Sequence, residues 1–263
     1  MSRIAETFAR LRERRSGGLV AYLTAGDPDA ERSAAIMIAV AQAGADVLEI
    51  GVPFSDPLAD GPVIQRASER ALAGGMTLRG TLAVVRAVRM SVSTPIVLFT
   101  YSNPVLRMRP EVFAGEAREA GVDGVLILDY PVEEAEPLRA PLVAAGLDPI
   151  FLVSPTTTDD RIRRSAELGA GFLYVISRLG VTGMRDSLDG DINRLLARVR
   201  ASSQLPIALG FGISRPEHVA EVCRVADAAV VGSGLVDTVA KWGKAADGCQ
   251  RAGEYVRWLK SAL

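Results

Sequence analysis

Eight short, continuous apolar runs, spaced by longer amphipathic stretches, limit this chain to very few folds. They are Leu19–Thr24, Val47–Gly51, Ile96–Tyr101, Gly124–Leu128, Pro149–Val153, Phe172–Ser177, Ile207–Gly210 and Ala228–Gly232. A strand with one wet face alternates polar and apolar residues. Continuous apolarity marks strands buried on both faces, as in parallel sheets. The stretches between them (30–43, 78–92, 111–120, 133–145, 159–168, 191–201 and 216–225) carry helical spacing. Start signals precede several of them: Thr77, Asp159, and Ser214 followed by Pro216 and Glu217. A recurring phrase joins helix to strand: AGADVLEI at 43–50, AGVDGVLIL at 120–128, AGLDPIFLV at 145–153 and LGAGFLYVI at 168–176. Glycine there supplies the left-handed residue that ends a helix.

Four copies of one βα layout argue for a repeated unit, and eight units read as one closed (β/α)₈ TIM barrel over residues 1–263. An open doubly wound sheet is the alternative, weakened because no Gly-x-Gly-x-x-Gly follows the first strand. An N-terminal helix over about 2–15 presents Ile4, Phe8 and Leu11 on one face, and 255–263 reads as a last covering helix. The 263 residues are 49% hydrophobic and 23% charged, with net charge −1, which gives no footprint for nucleic acid or membrane. Two cysteines, no secretory h-region and no long apolar span point to a cytoplasmic protein. The single histidine, His218, reads as an exposed helix residue, and no metal-ligand cluster is visible.

In such a barrel the chemistry gathers at the C-terminal strand ends. Glu49 lies inside the apolar second strand. A buried carboxylate persists where it is paired or useful, and Glu49's place near the strand end favours use. The following loop, Pro53–Pro62, is stiffened by prolines and carries Asp56 and Asp60. As bare loop residues these read as turn formers or caps. The loop after the sixth strand, about 178–191, is long and glycine-containing, as a mobile lid would be. Arg178 within it could meet a phosphate or pair with Asp129. Gly210–Ser214 and Gly232–Gly234 each lead into a helix after strands seven and eight, a frequent phosphate site in this fold.

The run LEIGVPFSDPLADGP at 48–62, with AYLTAGDP at 21–28, SRLGVTG at 177–183, GFGIS at 210–214 and VVGSG at 230–234, resembles the tryptophan synthase alpha chain family over essentially the whole chain. The resemblance implies cleavage of indole-3-glycerol phosphate to indole and glyceraldehyde 3-phosphate, with Glu49 and Asp60 as the catalytic pair. It implies substrate contacts at Tyr22, Phe99, Leu126, Tyr174, Thr182, Gly183, Phe211, Gly212, Gly232, Ser233 and Gly234. It also implies an α₂β₂ assembly with a pyridoxal-phosphate beta chain, a partner surface including Asp56, Pro57, Asn103 and Pro131, and no cofactor or metal in this chain. The chain departs from the family pattern at Arg107–Pro110, where a glycine is frequent, and at Tyr130 in Asp-Tyr-Pro. Both departures bear on partner binding. Open alternatives are a stand-alone lyase, a non-catalytic regulatory subunit, and another phosphate-binding barrel enzyme such as a sugar-phosphate isomerase.

Overall fold

The computed structural model describes residues 2–176, 190–210 and 212–263. In chain order the elements are α1 (Arg3–Glu13), β1 (Gly18–Thr24), α2 (Ala30–Gln42), β2 (Val47–Gly51), α3 (Pro62–Ala73), α4 (Leu78–Arg89), β3 (Ile96–Thr100), α5 (Ser102–Met108), α6 (Pro110–Ala120) and β4 (Gly124–Ile127). A 3₁₀ turn at Val132–Glu134 precedes α7 (Glu136–Ala144). Then come β5 (Asp148–Val153), α8 (Asp159–Leu168), β6 (Leu173–Ile176), α9 (Gly190–Ser202), β7 (Ile207–Gly210), α10 (Pro216–Cys223), β8 (Ala228–Val231), α11 (Ser233–Trp242) and α12 (Gly248–Lys260). The eight strands are parallel and close into a barrel in sequence order, β8 pairing with β1 through Leu19↔Ala229.

Alternation along each strand divides the apolar residues between two cores. Leu48, Ile50, Leu98, Val125, Val175 and Leu209 face the helices. Val20, Tyr22, Val47, Val97, Phe99, Leu126, Ile150, Tyr174, Ala208 and Val230 fill the interior. Because side chains alternate with period two, Glu49 falls with Val47 on the interior side.

The recurring helix-to-strand phrase has a physical content beyond its glycine. Gly44, Gly121 and Gly146 hold positive φ, as the helix ends require, whereas α8 ends on Gly169 at φ −84° and the positive φ of that phrase falls two residues later, at Gly171. The aspartate that follows accepts the backbone N–H of the neighbouring strand: Asp46 from Leu19 (2.8 Å) and Asp123 from Ile96 (2.8 Å). Asp227 plays the same part for Ile207 (2.7 Å). A carboxylate receiving a strand-end donor fixes where each unit begins.

Helix α1 closes the N-terminal end of the barrel. Ile4, Phe8 and Leu11 join the interior core, with Phe8 against Phe172 at 5.6 Å between ring centres. Arg3 and Arg89 both reach the buried Asp123 at 2.7 Å, tying the helix to the barrel floor. With that end plugged, the C-terminal mouth is left for a ligand.

Several boundaries differ from the sequence expectation. Thr77 caps α4 as expected, its hydroxyl accepting from Gly80 N–H, but α8 is capped by Thr158, one residue before Asp159. Arg215, not Ser214, occupies the cap position of α10. Helices α3 and α5 are not flagged by apolar spacing, because α3 opens directly out of a proline-rich loop and α5 is only seven residues long, with Val105 its one buried residue. Gly61 and Pro62 start α3, and Tyr101 and Ser102 start α5, where Asp129 accepts from Ser102 N–H (2.6 Å) and hydroxyl (2.9 Å).

Between α5 and α6 Arg109 sits at φ 73°, ψ 130°, a conformation that side chains with a Cβ rarely adopt. Pro110 forbids the helical alternative to the residue before it. Releasing that strain is worth about 1–3 kcal/mol, less the extra freedom glycine gains when unfolded. Arg109→Gly is therefore expected to stabilise the chain by about 1 kcal/mol, read as a higher urea midpoint at unchanged m-value. An unchanged or lower midpoint would refute the strain.

Candidate active site

The mouth of the barrel collects the two carboxylates and an aromatic sleeve. Glu49 is paired in register with Tyr22 on β1 and Val97 on β3, and it is 0% exposed. Neither of its carboxyl oxygens has a hydrogen-bond partner among the described residues. An ionised carboxylate so placed loses its hydration with nothing in return, so the proton is retained. Burial, and secondarily the nearby Asp60 charge, raises its pKa to about 8.

Asp60 is buried too, but it is held. Its N–H donates to the Pro57 carbonyl (3.0 Å), and its own carbonyl accepts from Gln65 Nε2 (2.9 Å). The Tyr101 hydroxyl donates to Asp60 Oδ2 at 3.1 Å and accepts from Ala59 N–H at 3.1 Å. Phe54 stacks on the Tyr101 ring at 4.8 Å. Burial raises the Asp60 pKa to about 6, and the Tyr101 hydrogen bond opposes the rise. Asp60 thus loses its proton first, and its charge then helps Glu49 to keep one. Two carboxylates a short way apart are held in different protonation states by different surroundings.

Tyr22 lies edge-on to Phe99 at 5.1 Å, and with Leu126 and Tyr174 these residues form the upper interior core. Burial first, and then Asp60 for Tyr22 and Glu49 for Tyr174, raises both phenol pKa values well above the ordinary tyrosine range, so both remain neutral donors. Gly51 makes room for this arrangement: a Cβ there would sit 2.1 Å from the Tyr22 hydroxyl.

Two glycine turns border the sleeve. Gly212 has φ 67°. Gly232 precedes α11, accepting from Leu235 and Val236 N–H (both 3.0 Å). The first N–H groups of a helix, here those of Ser233 and Gly234, have no partner inside it and carry the positive end of its dipole. A Cβ on Gly232 would lie 3.7 Å from both Ile64 and the Tyr22 Cβ, so this turn abuts the aromatic sleeve. The candidate contacts Thr182, Gly183 and Phe211, the expected lid at 178–191 up to residue 189, and Arg178 lie outside the described residues.

The four candidate partner residues are on the surface or close to it. Asp56, Asn103 and Pro131 are exposed and Pro57 half-buried, beside Leu58 at 94% exposure. Asn103 shares with Phe54, Met76, Arg79, Arg107 and Met108 a groove of about 650 Å³ between the β2–α3 loop and α5.

His218 is a correction: it is buried, not exposed. It accepts from Ser214 N–H at Nδ1 (3.4 Å) and contacts Arg215 at Nε2 (3.2 Å), because the loop after β7 folds back over the first turn of α10. Tyr101, which holds Asp60, is the residue of the candidate site that sequence reasoning passes over. Its signal is a lone phenol closing the third apolar run, at the cap of α5, but its partner is 41 residues away.

Comparison with known proteins decides among barrel enzymes. The family described as "Tryptophan synthase alpha chain" matches residues 8–263. The chain belongs to the tryptophan synthase alpha chain family. A tryptophan synthase alpha chain of Burkholderia thailandensis is 51% identical over 237 residues, 90% of this chain and 88% of its own. One from Burkholderia pseudomallei is 46% identical over 264 residues, 100% of this chain and 97% of its own. The crystal structure of tryptophan synthase subunit alpha from Legionella pneumophila superposes with a TM-score of 0.91 at 37% identity, covering 100% of this chain and 98% of that one. As a tryptophan synthase alpha chain it is a lyase of tryptophan biosynthesis that cleaves indole-3-glycerol phosphate, and the family pairs with a beta chain. Among the described residues, no helix is long and apolar enough to cross a membrane.

Proposed function

We propose that Glu49 carries both proton transfers of indole-3-glycerol phosphate cleavage and that Asp60 stabilises the charge on the indole. The observation that carries this reading is the partnerless, fully buried Glu49, whose carboxyl keeps its proton to about pH 8. The neutral acid donates a proton to indole C3, and the ring becomes an indoleninium cation. The Asp60 carboxylate, turned by Tyr101, accepts the indole N–H and offsets that charge. The Glu49 carboxylate just formed then removes the proton of the glycerol hydroxyl next to the ring. The C–C bond to C3 breaks, its electron pair restores the indole, and the oxygen closes the aldehyde of glyceraldehyde 3-phosphate. One proton enters and one returns, so a single carboxyl finishes as it began.

In this reading the indole lies between Tyr22, Phe99, Leu126 and Tyr174. The phosphate lies against the N–H groups at Gly212, Ser233 and Gly234, with Gly232 setting the turn and Phe211, Thr182 and Gly183 completing the enclosure. The reaction as written asks for no cofactor or metal from this chain; pyridoxal phosphate belongs to the beta chain. The partner surface takes in Asp56, Pro57, Asn103 and Pro131, the assembly is α₂β₂, and the cytoplasm is its compartment. Light scattering of the two chains mixed together tests the stoichiometry.

The deciding assay is indole release from indole-3-glycerol phosphate, with and without a beta chain, as a function of pH. Asp60 gains its charge as pH rises through about 6, and Glu49 loses its proton as pH rises through about 8. The profile of kcat/KM is therefore expected to be a bell with limbs near those values. In Tyr101→Phe the hydrogen bond that lowers the Asp60 pKa is gone, so the acidic limb moves upward while the alkaline limb stays. A profile with no acidic limb, or one unmoved by Tyr101→Phe, counts against the assignment of Asp60.

A further inference from the structure

One side chain far along the sequence touches both glycine turns at the mouth. Tyr255, on α12, donates its hydroxyl to the Ser214 carbonyl at 3.2 Å, behind the turn that follows β7. The same oxygen lies against the turn that follows β8, where a Cβ on Gly234 would sit 2.3 Å from it. Gly234 does not hold a positive φ, so its backbone would accept a side chain. What requires glycine at this position is the Tyr255 hydroxyl. The Ser214 peptide is also held from its other end, its N–H donating to His218 Nδ1 at 3.4 Å. The Tyr255 ring is half-buried and rests on Trp258 at 5.7 Å. Burial and the neighbouring Asp237 push the phenol up to about 12, so it is a donor throughout the neutral range.

We propose that Tyr255 is a positioning residue for the phosphate end of the substrate, an oxygen wedge that fixes the spacing between the Gly212–Ser214 turn and the Gly232–Gly234 turn. This rests on the reading that those turns hold the phosphate. A phosphate dianion gathers N–H donors from two loops on different strands, and each hydrogen bond tolerates only a few tenths of an ångström. The two turns follow different strands, β7 and β8, and come together where a Cβ on Gly234 would lie 3.4 Å from the Ile213 carbonyl, so a group packed behind both can fix their separation. A rigid ring whose hydroxyl is bonded to one turn and in contact with the other does that without touching the substrate.

The test uses the full chain, with indole-3-glycerol phosphate as substrate and inorganic phosphate and glycerol 3-phosphate as competitors. Loss of one such hydrogen bond corresponds to about a 3- to 10-fold effect. Tyr255→Phe is expected to raise KM and both inhibition constants by that factor, with kcat within about twofold. Gly234→Ala is expected to raise KM more, because its Cβ meets the hydroxyl. The double variant Gly234→Ala/Tyr255→Phe is then expected to bind better than Gly234→Ala alone, since the colliding oxygen is gone. Tyr255→Phe with unchanged KM and inhibition constants, or a double variant no better than Gly234→Ala, overturns the proposal. Wild-type protein that neither phosphate compound competes with overturns the phosphate reading itself, and the proposal with it.

Discussion

Glu49→Gln is expected to lower kcat for indole-3-glycerol phosphate cleavage by at least ~10³-fold while making the chain harder to unfold. The loss follows from the double duty of the carboxyl: an amide neither donates the proton to C3 nor takes one from the hydroxyl. The gain follows from the same burial that tunes it. In the unfolded chain a glutamate titrates near ~4.3, whereas folded Glu49 holds its proton to about 8. The folded state therefore binds more protons between these values. The stability linked to that proton is fully present below about pH 4 and is lost as pH rises through about 8. At pH 7 the unfolded state is favoured by roughly 3 kcal/mol through this group alone. The Glu49→Gln side chain does not titrate and carries no such penalty, although its own unbonded amide offsets part of the gain. A net stabilisation of about 2 kcal/mol, some 4–8 °C in Tm, is expected near neutrality. Because the effect is linkage, it must shrink at pH 5 and grow at pH 8. Urea melts at the two pH values check it: equal gains at both would rule out a buried titrating carboxyl, and retained activity would remove Glu49 from the mechanism.

How much of this is legible in the sequence depends on the range of the interaction. The strands and their order can be read because burial on both faces is written in every strand separately. The same continuous apolarity conceals which residues face inward. Only the register with Tyr22 and Val97 shows that Glu49 belongs to the barrel interior. Asp60 reads as a turn residue because nothing within ten positions of it suggests otherwise. Its distinction comes from Tyr101, at the junction of β3 and α5, and from burial under the loop's own fold. Helix α3 escapes sequence reading because Gly61 caps it through backbone alone, with none of the side-chain caps that flag α4 or α2. His218 is misplaced by its sequence for a related reason: a first-turn residue after proline is usually wet, unless a loop such as Gly212–Ser214 folds over it.

The two ends of the barrel show opposite solutions to the cost of buried charge. At the floor, Asp123 receives Arg3, Arg89 and the Ile96 N–H, so both of its carboxyl oxygens have donors. At the mouth, Glu49 receives nothing from the described residues. A fold that can satisfy Asp123 so fully has no general difficulty in pairing carboxylates, so the isolation of Glu49 belongs to its chemistry and is tolerated because the rest of the barrel supplies the stability.

Asp60→Asn separates the two roles most sharply. The amide keeps the size of the side chain, and its oxygen can still accept from Tyr101. What remains to face the indole N–H is then a donor, and a neutral group cannot offset the indoleninium charge. A fall in kcat/KM of ~10²–10³-fold is expected, the magnitude associated with one preorganised electrostatic partner of a transition state. Two changes in the residual pH profile identify the cause. The acidic limb near 6 disappears, because the group that had to ionise is gone. The alkaline limb moves below 8, because the Asp60 charge no longer helps Glu49 to retain its proton, and burial alone holds up what remains of the shift. A variant that lost activity but kept both limbs in place would show that the lower limb belongs to another group. One that lost the lower limb while the upper stayed fixed would show that the two carboxylates do not sense each other, and Asp60 would then act on the substrate alone.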